Sequence, residues 1–119
     1  MAPKKNPLNL NPLQLKTLTL FQALSQMEGI AAPHDDPGGE PGHIMISRMP
    51  RQHGDHFHLG PYVVRAQDAS GLSNESVWTA LERKKLIKSL FPMACVLTPA
   101  GGPYDTGLKD QILHPGGHH

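Results

Sequence analysis

Between Leu13 and Met27 the apolar residues Leu13, Leu20, Leu24 and Met27 recur near helical spacing, and Leu18 and Phe21 widen the face they make. Asn11 and Pro12 stand just ahead. The first is a side chain that can accept from free helix amides, the second a ring whose fixed φ suits the first helical position. Gly29 supplies a C-terminal stop. The pattern predicts a helix over 13–28, leucine-rich on more than one face. A second helical pattern covers 74–88. Val77, Ala80, Leu81 and Ile87 face inward with Trp78 beside them, while Glu75, Thr79, Glu82, Arg83 and Lys85 face out. Ser73 or Asn74 caps it.

Between the two helices the period shortens to two. HIMISRMP alternates around Ile44 and Ile46 and predicts a strand over 43–49. HFHLGPYVVRA predicts another over 56–65, with Pro61 calling for an edge position or a bend at Gly60-Pro61. The two segments pair as a hairpin in this reading, and a short helix over 61–69 is the competing assignment. Phe91-Pro92 breaks the chain again, and residues 94–98 form a third strand. Leu20, Phe21, Leu24, Val63, Val77, Trp78, Leu81, Ile87 and Leu97 are the expected core.

The remaining stretches read as connections. Residues 1–10 form a flexible arm in which Pro3 and Pro7 discourage a helix. Residues 31–42, AAPHDDPGGEPG, form a mobile loop, and residues 108–119, with Pro115-Gly116-Gly117, form a flexible tail. One domain over 11–107 is what is left. Composition agrees: 119 residues suffice for a single modest core, and 12 glycines plus 12 prolines imply much loop. Net charge is +1, so affinity for nucleic acid has to come from a local basic patch. Cys95 is the one cysteine, which excludes an internal disulfide and suits a reducing compartment. Its neighbours Ala94 and Val96 mark it as a packed, inert thiol. The N-terminal leucines are interrupted by Asn, Gln, Lys and Thr, and no run approaches the roughly 20 apolar residues that span a bilayer. A cytoplasmic protein with no membrane association is expected.

The stretch 73–101 carries the clearest pattern. LERKKLI is followed about ten residues later by LTPAG. This resembles the winged helix-turn-helix domains of MarR-like regulators, whose recognition helix commonly ends in Leu-x-x-Lys-Gly-Leu-Val/Ile and whose wing returns on Leu-Thr-x-x-Gly. Leu81, Arg83, Lys84, Leu86 and Ile87 match the first half, and Leu97, Thr98 and Gly101 the second. Lys85 stands where that family has glycine, and the wing segment SLFPMACV contains no Arg or Lys. The resemblance implies a small α+β winged-helix-like domain with two main helices and short antiparallel strands. It implies double-stranded DNA as partner, transcription regulation as role, and dimerisation of a kind that helix 13–28 can serve.

DNA recognition needs polar groups at the front of a helix for base edges and cations for phosphates. Asn74, Glu75 and Thr79 suit the first task, with Ser76 beside them. Arg83, Lys84, Lys85 and Lys88 suit the second, helped by Arg48, Arg51, Arg65, Lys4 and Lys5. A different chemistry is written in His53-Gly54-Asp55-His56-Phe57-His58. On a strand His56 and His58 share a face, and His53 or Asp55 can swing in from the turn, a set suited to zinc or another divalent transition metal. Tyr104-Asp105-Thr106-Gly107 contains the Asp-Thr-Gly of aspartic proteases but reads as a turn closed by Gly107. No phosphate loop, Ser-His-Asp set or carboxylate pair can be assembled. The expectation is therefore a non-catalytic binding protein needing no cofactor, with a metal-binding protein or a protein–protein interaction module on the same scaffold as alternatives.

Overall fold

A computed structural model describes residues 6–34 and 41–115. They form an α+β domain with three α-helices, α1 (Pro12–Leu24), α2 (Glu75–Arg83) and α3 (Lys109–Ile112). Eight short strands accompany them: β1 (Ala31–Pro33), β2 (Ile44–Ile46), β3 (Gln52–His53), β4 (His56–Leu59), β5 (Tyr62–Arg65), β6 (Ile87–Leu90), β7 (Ala94–Leu97) and β8 (His114–Pro115). The strands make two antiparallel sheets, ordered β1-β2-β7-β6 and β3-β4-β5-β8.

Asn11 starts α1 with a reciprocal cap. Its side-chain oxygen accepts from the Gln14 amide at 2.8 Å, and Gln14 Oε1 accepts from the Asn11 amide at 3.0 Å. The helix ends at Leu24, short of the expected residue 28, because Ser25 caps it and the chain turns through Met27 before Gly29 reaches φ 83°. The five consecutive residues Thr17 to Phe21 are all buried. This is why leucines occupy more than one face of this helix: its own chain covers the middle all round. A homodimer through 13–28 would have to use the ends of the helix.

The second helix also stops early. Expected to run to residue 88, it ends at Arg83, and Ile87 and Lys88 lie on β6. Lys85 takes φ 66° and reverses the backbone. Its amide donates to Glu82 O at 2.9 Å and the next amide, of Leu86, donates to Leu81 O at 3.1 Å. This pair of bonds is the Schellman arrangement that satisfies the last helix carbonyls. Leu81 and Leu86 are both buried at the closure. Ile87 is buried too, as expected, but from a strand rather than a helix.

The largest correction concerns pairing. The strand expected over 43–49 is β2, and it lies between β1 and β7 rather than against 56–65. Residues 56–65 instead fold on themselves as β4 and β5, with Leu59 opposite Tyr62 across a two-residue turn of Gly60 and Pro61. Gly60 there has φ 57° and Gly54, in the turn between β3 and β4, has φ 62°. Glycine at the first turn position is what such tight hairpins require. The competing helix over 61–69 survives only as a single 3-10 turn at Ala66–Asp68, and a second such turn, Ser70–Ser73, follows it. With the register so fixed, Val64 enters the core and Val63 stays half-buried, reversing the expectation for that pair.

Every other expected core residue is buried. Phe21 on α1 meets Trp78 on α2 edge-on, centroids 5.0 Å apart, and Phe91 meets the same indole at 5.1 Å. The Trp78 Nε1–H donates to Gly71 O at 3.1 Å, which satisfies its one polar atom inside the core. Lys16 on α1 reaches the largely buried carboxylate of Asp68 at 2.9 Å, pinning the first 3-10 turn to the helix.

Both expected termini are partly built into the domain. Leu10 is buried, and Asn6 accepts from the Tyr104 hydroxyl at 2.7 Å. From the expected tail, α3 buries Ile112 and β8 pairs with β5. Residues 1–5, 35–40 and 116–119, parts of the expected arm, loop and tail, lie outside the described residues. Among the described residues no helix is long and apolar enough to cross a membrane.

Candidate nucleic-acid interface

The outward face of α2 is set by what its inward face buries. Val77, Trp78 and Leu81 point into the core, so Glu75, Thr79 and Arg83, four residues apart, form a stripe on the opposite side. A shallow depression runs along it, lined by Glu75, Ser76, Thr79, Ala80 and Arg83. Glu75, Ser76 and Arg83 are exposed, whereas Thr79 is half-buried. Asn74 has a second task. Its side-chain oxygen accepts from the Ser76 amide at 3.1 Å as the helix cap, leaving its amide group to face outward contacts.

The C-terminal end of the same helix is basic. Arg83, Lys84 and Lys85 are consecutive and exposed, close to the negative end of the helix dipole. Lys88, placed with them from sequence, lies exposed on β6 instead and belongs to the hairpin rather than the helix. Arg48 and Arg51 are exposed between β2 and β3, and Arg65 is exposed at the end of β5, while Lys4 and Lys5 lie outside the described residues.

The β6–β7 hairpin stands directly after this basic end. Its tip is apolar: Leu90 is 51% and Met93 74% exposed, with Phe91 turned back onto Trp78. The run Leu-Phe-Pro-Met around a turn was the sequence signal for this tip. Thr98, at the end of β7, closes the unit with hydrogen bonds to the carbonyls of Lys85 and Leu86.

The histidines occupy a different face. Register sets His53 opposite His56, and His58 two residues further on, so all three share one side of the β3–β4–β5 sheet. Phe57 and Leu59 alternate to the other side, where Leu59 is buried. The Nε2 atoms of His56 and His58 are 3.1 Å apart, and Asp55 Oδ1 lies 3.2 Å from His56 Nδ1. The hydrogen bond from His56 holds the Asp55 carboxyl below its usual range. The His53 ring is edge-on to His58 with centroids at 5.1 Å and stacked on His56 at 6.4 Å. Two ring nitrogens thus converge, while among the described residues no three ligating side chains already meet around one point.

One further feature was not anticipated. Gln22 donates from Nε2 to Gly101 O at 2.9 Å and Tyr104 O at 2.7 Å, at the rim of a cavity of about 310 Å³ that Tyr62 and Lys109 also line. Asp105 accepts from the Gly107 amide at 3.0 Å, so the Asp-Thr-Gly triplet is a turn, as its sequence reading held. The chain matches no protein family model, no curated protein and no solved structure.

Proposed function

We propose that the chain is a non-catalytic DNA-binding module of winged-helix type, acting in transcription regulation in the cytoplasm, with α2 as its recognition helix. One observation carries this reading: the outward polar stripe of α2 ends in three consecutive exposed cations, immediately ahead of a hairpin. Glu75, Thr79 and the free amide of Asn74 address base edges, since carboxylates accept from cytosine and carboxamides pair with adenine. Arg83, Lys84 and Lys85 meet phosphates. The hairpin tip brings Leu90 and Met93 in place of cations, so phosphate neutralisation falls to the helix end, with Lys88 flanking it. Lys85 in the left-handed position that MarR-like domains give to glycine supports the same alignment of helix, turn and wing.

The test is binding to mixed-sequence duplex DNA, followed by fluorescence anisotropy across a salt series. Three neutralised phosphates imply a log–log salt slope of about −2.7. The pair Lys84→Gln and Lys85→Gly, the latter chosen because glycine suits a positive φ, should weaken binding to every duplex and flatten the slope by about 1.8. An affinity and slope unchanged in that double variant overturn the assignment of these cations.

A further inference from the structure

We infer that the outward face of the β3–β4–β5 sheet is a binding site for a divalent transition-metal ion, held by Nε2 of His56 and Nε2 of His58, with His53 as third ligand and Asp55 behind His56. It shares no residue with the α2 surface and does not depend on it.

The distances are those of a chelating edge. Metal–imidazole bonds of about 2.0–2.1 Å put two ligand nitrogens about 2.9 Å apart at a right angle and about 3.3 Å apart at a tetrahedral one. The observed 3.1 Å lies between the two. The pair comes together because β4 projects alternate residues to one side, so no loop has to be ordered to form it. His56 is half-buried and His58 exposed, which leaves the nitrogens open to an ion arriving from water.

Asp55 determines which His56 nitrogen is available. A carboxylate only accepts, so His56 Nδ1 donates to it, and in the neutral ring this leaves the lone pair on Nε2. A ligand histidine backed by a carboxylate is oriented and made a better donor. The Asp55 turn is itself anchored, since its carbonyl accepts from the Ala66 amide at 2.8 Å. With both rings neutral and His56 Nε2 accepting, the 3.1 Å contact is a hydrogen bond donated by His58 Nε2–H. On binding, that proton leaves Nε2 and His58 protonates at Nδ1 from solvent, which keeps both rings neutral. The exposed His53 completes a third position by turning its side chain, and water fills the rest.

The donor set favours zinc, nickel or copper over magnesium or calcium, which prefer oxygen. Arg65 stands across from His56 in the register, so the neighbouring charges are Asp55 and Arg65 in balance rather than an acidic cluster. Binding therefore rests on imidazole donation.

Zinc titration of the full chain by calorimetry tests the site, with cobalt absorption bands reporting nitrogen coordination. One equivalent should bind. His56→Gln and His58→Gln should each lower affinity at least ~10-fold, and Asp55→Asn ~10-fold through the outer shell. His118→Ala with His119→Ala should leave binding intact. Asp55 and His58 are exposed and His56 is half-buried, and circular dichroism of each variant checks that the fold persists. Absence of binding, affinity unchanged in His56→Gln/His58→Gln, or binding lost with the C-terminal pair overturns the proposal.

Discussion

The hydroxyl oxygen of Thr98 lies 2.8 Å from the carbonyl oxygen of Lys85, thirteen residues earlier in the chain. It is also 3.0 Å from Leu86 O and accepts from the Gly101 amide at 3.1 Å, while the Thr98 amide donates to Leu86 O at 3.1 Å. The end of α2 and the return of the β6–β7 hairpin are therefore one hydrogen-bonded unit. Lys85 ends the helix in a left-handed conformation, and Thr98 takes up carbonyls that the reversal leaves without helical partners. Gly101 completes the unit by close approach, since a methyl group there would run into the Leu86 carbonyl and the Leu97 side chain. The two halves of the LERKKLI…LTPAG pattern have the separation they have because they meet here.

Replacing Thr98 by Val keeps the shape and removes the hydroxyl. Lys85 O loses its partner, while Leu86 O keeps the Thr98 amide and the Gly101 amide keeps Thr98 O, so the cost is about 1 kcal/mol. Thr98→Ser should retain most of the stability. Urea unfolding checks both: the midpoint should fall for Thr98→Val with an unchanged m-value.

Lys85 pays the strain of an L-residue at φ 66°, which glycine does not. Lys85→Gly relieves that strain but adds freedom to the unfolded chain. Strain relief wins at a helix C′ position, and a gain of roughly 0.5–1 kcal/mol is expected in the same unfolding measurement.

How far the fold is legible from sequence divides along physical lines. Helix starts are local: Asn11 caps α1 as expected, and of the two candidates Ser73 and Asn74 it is Asn74 that caps α2. Helix ends were misplaced because one is set by a lysine in a glycine conformation, which no propensity signals. Strand positions followed from period two, but partners did not. Ile44 and Ile46 say only that a strand exists, and β7, about fifty residues away, decides where it sits. The histidine face was half legible. His56 and His58 share a side by parity, whereas His53 joins them only through the two-residue turn that Gly54 makes. The α2 stripe was readable from helical spacing, except that Lys88 was carried past a helix end that came five residues sooner.

Cys95 lies wholly buried on β7, between Ile46 and Ser89 of the flanking strands. Burial alone pushes its thiol from 9.0 up to about 12, because the thiolate cannot be solvated there. The group therefore loses its proton more readily in the unfolded chain than in the folded one. Its contribution to stability is complete below pH 9 and is lost as pH rises from 9 toward 12. Cys95→Ala removes that linkage while leaving the lysines and tyrosines that also titrate there. The difference in stability between the two proteins should be constant at neutral pH and shrink above pH 9, read by urea unfolding at a series of pH values. In the native protein at pH 8 a disulfide reagent should label Cys95 only as fast as the sheet opens, and denaturant should accelerate labelling to the rate of a free thiol. Prompt labelling without denaturant would show that β7 is not the closed central strand that its pairing with β2 and β6 makes it.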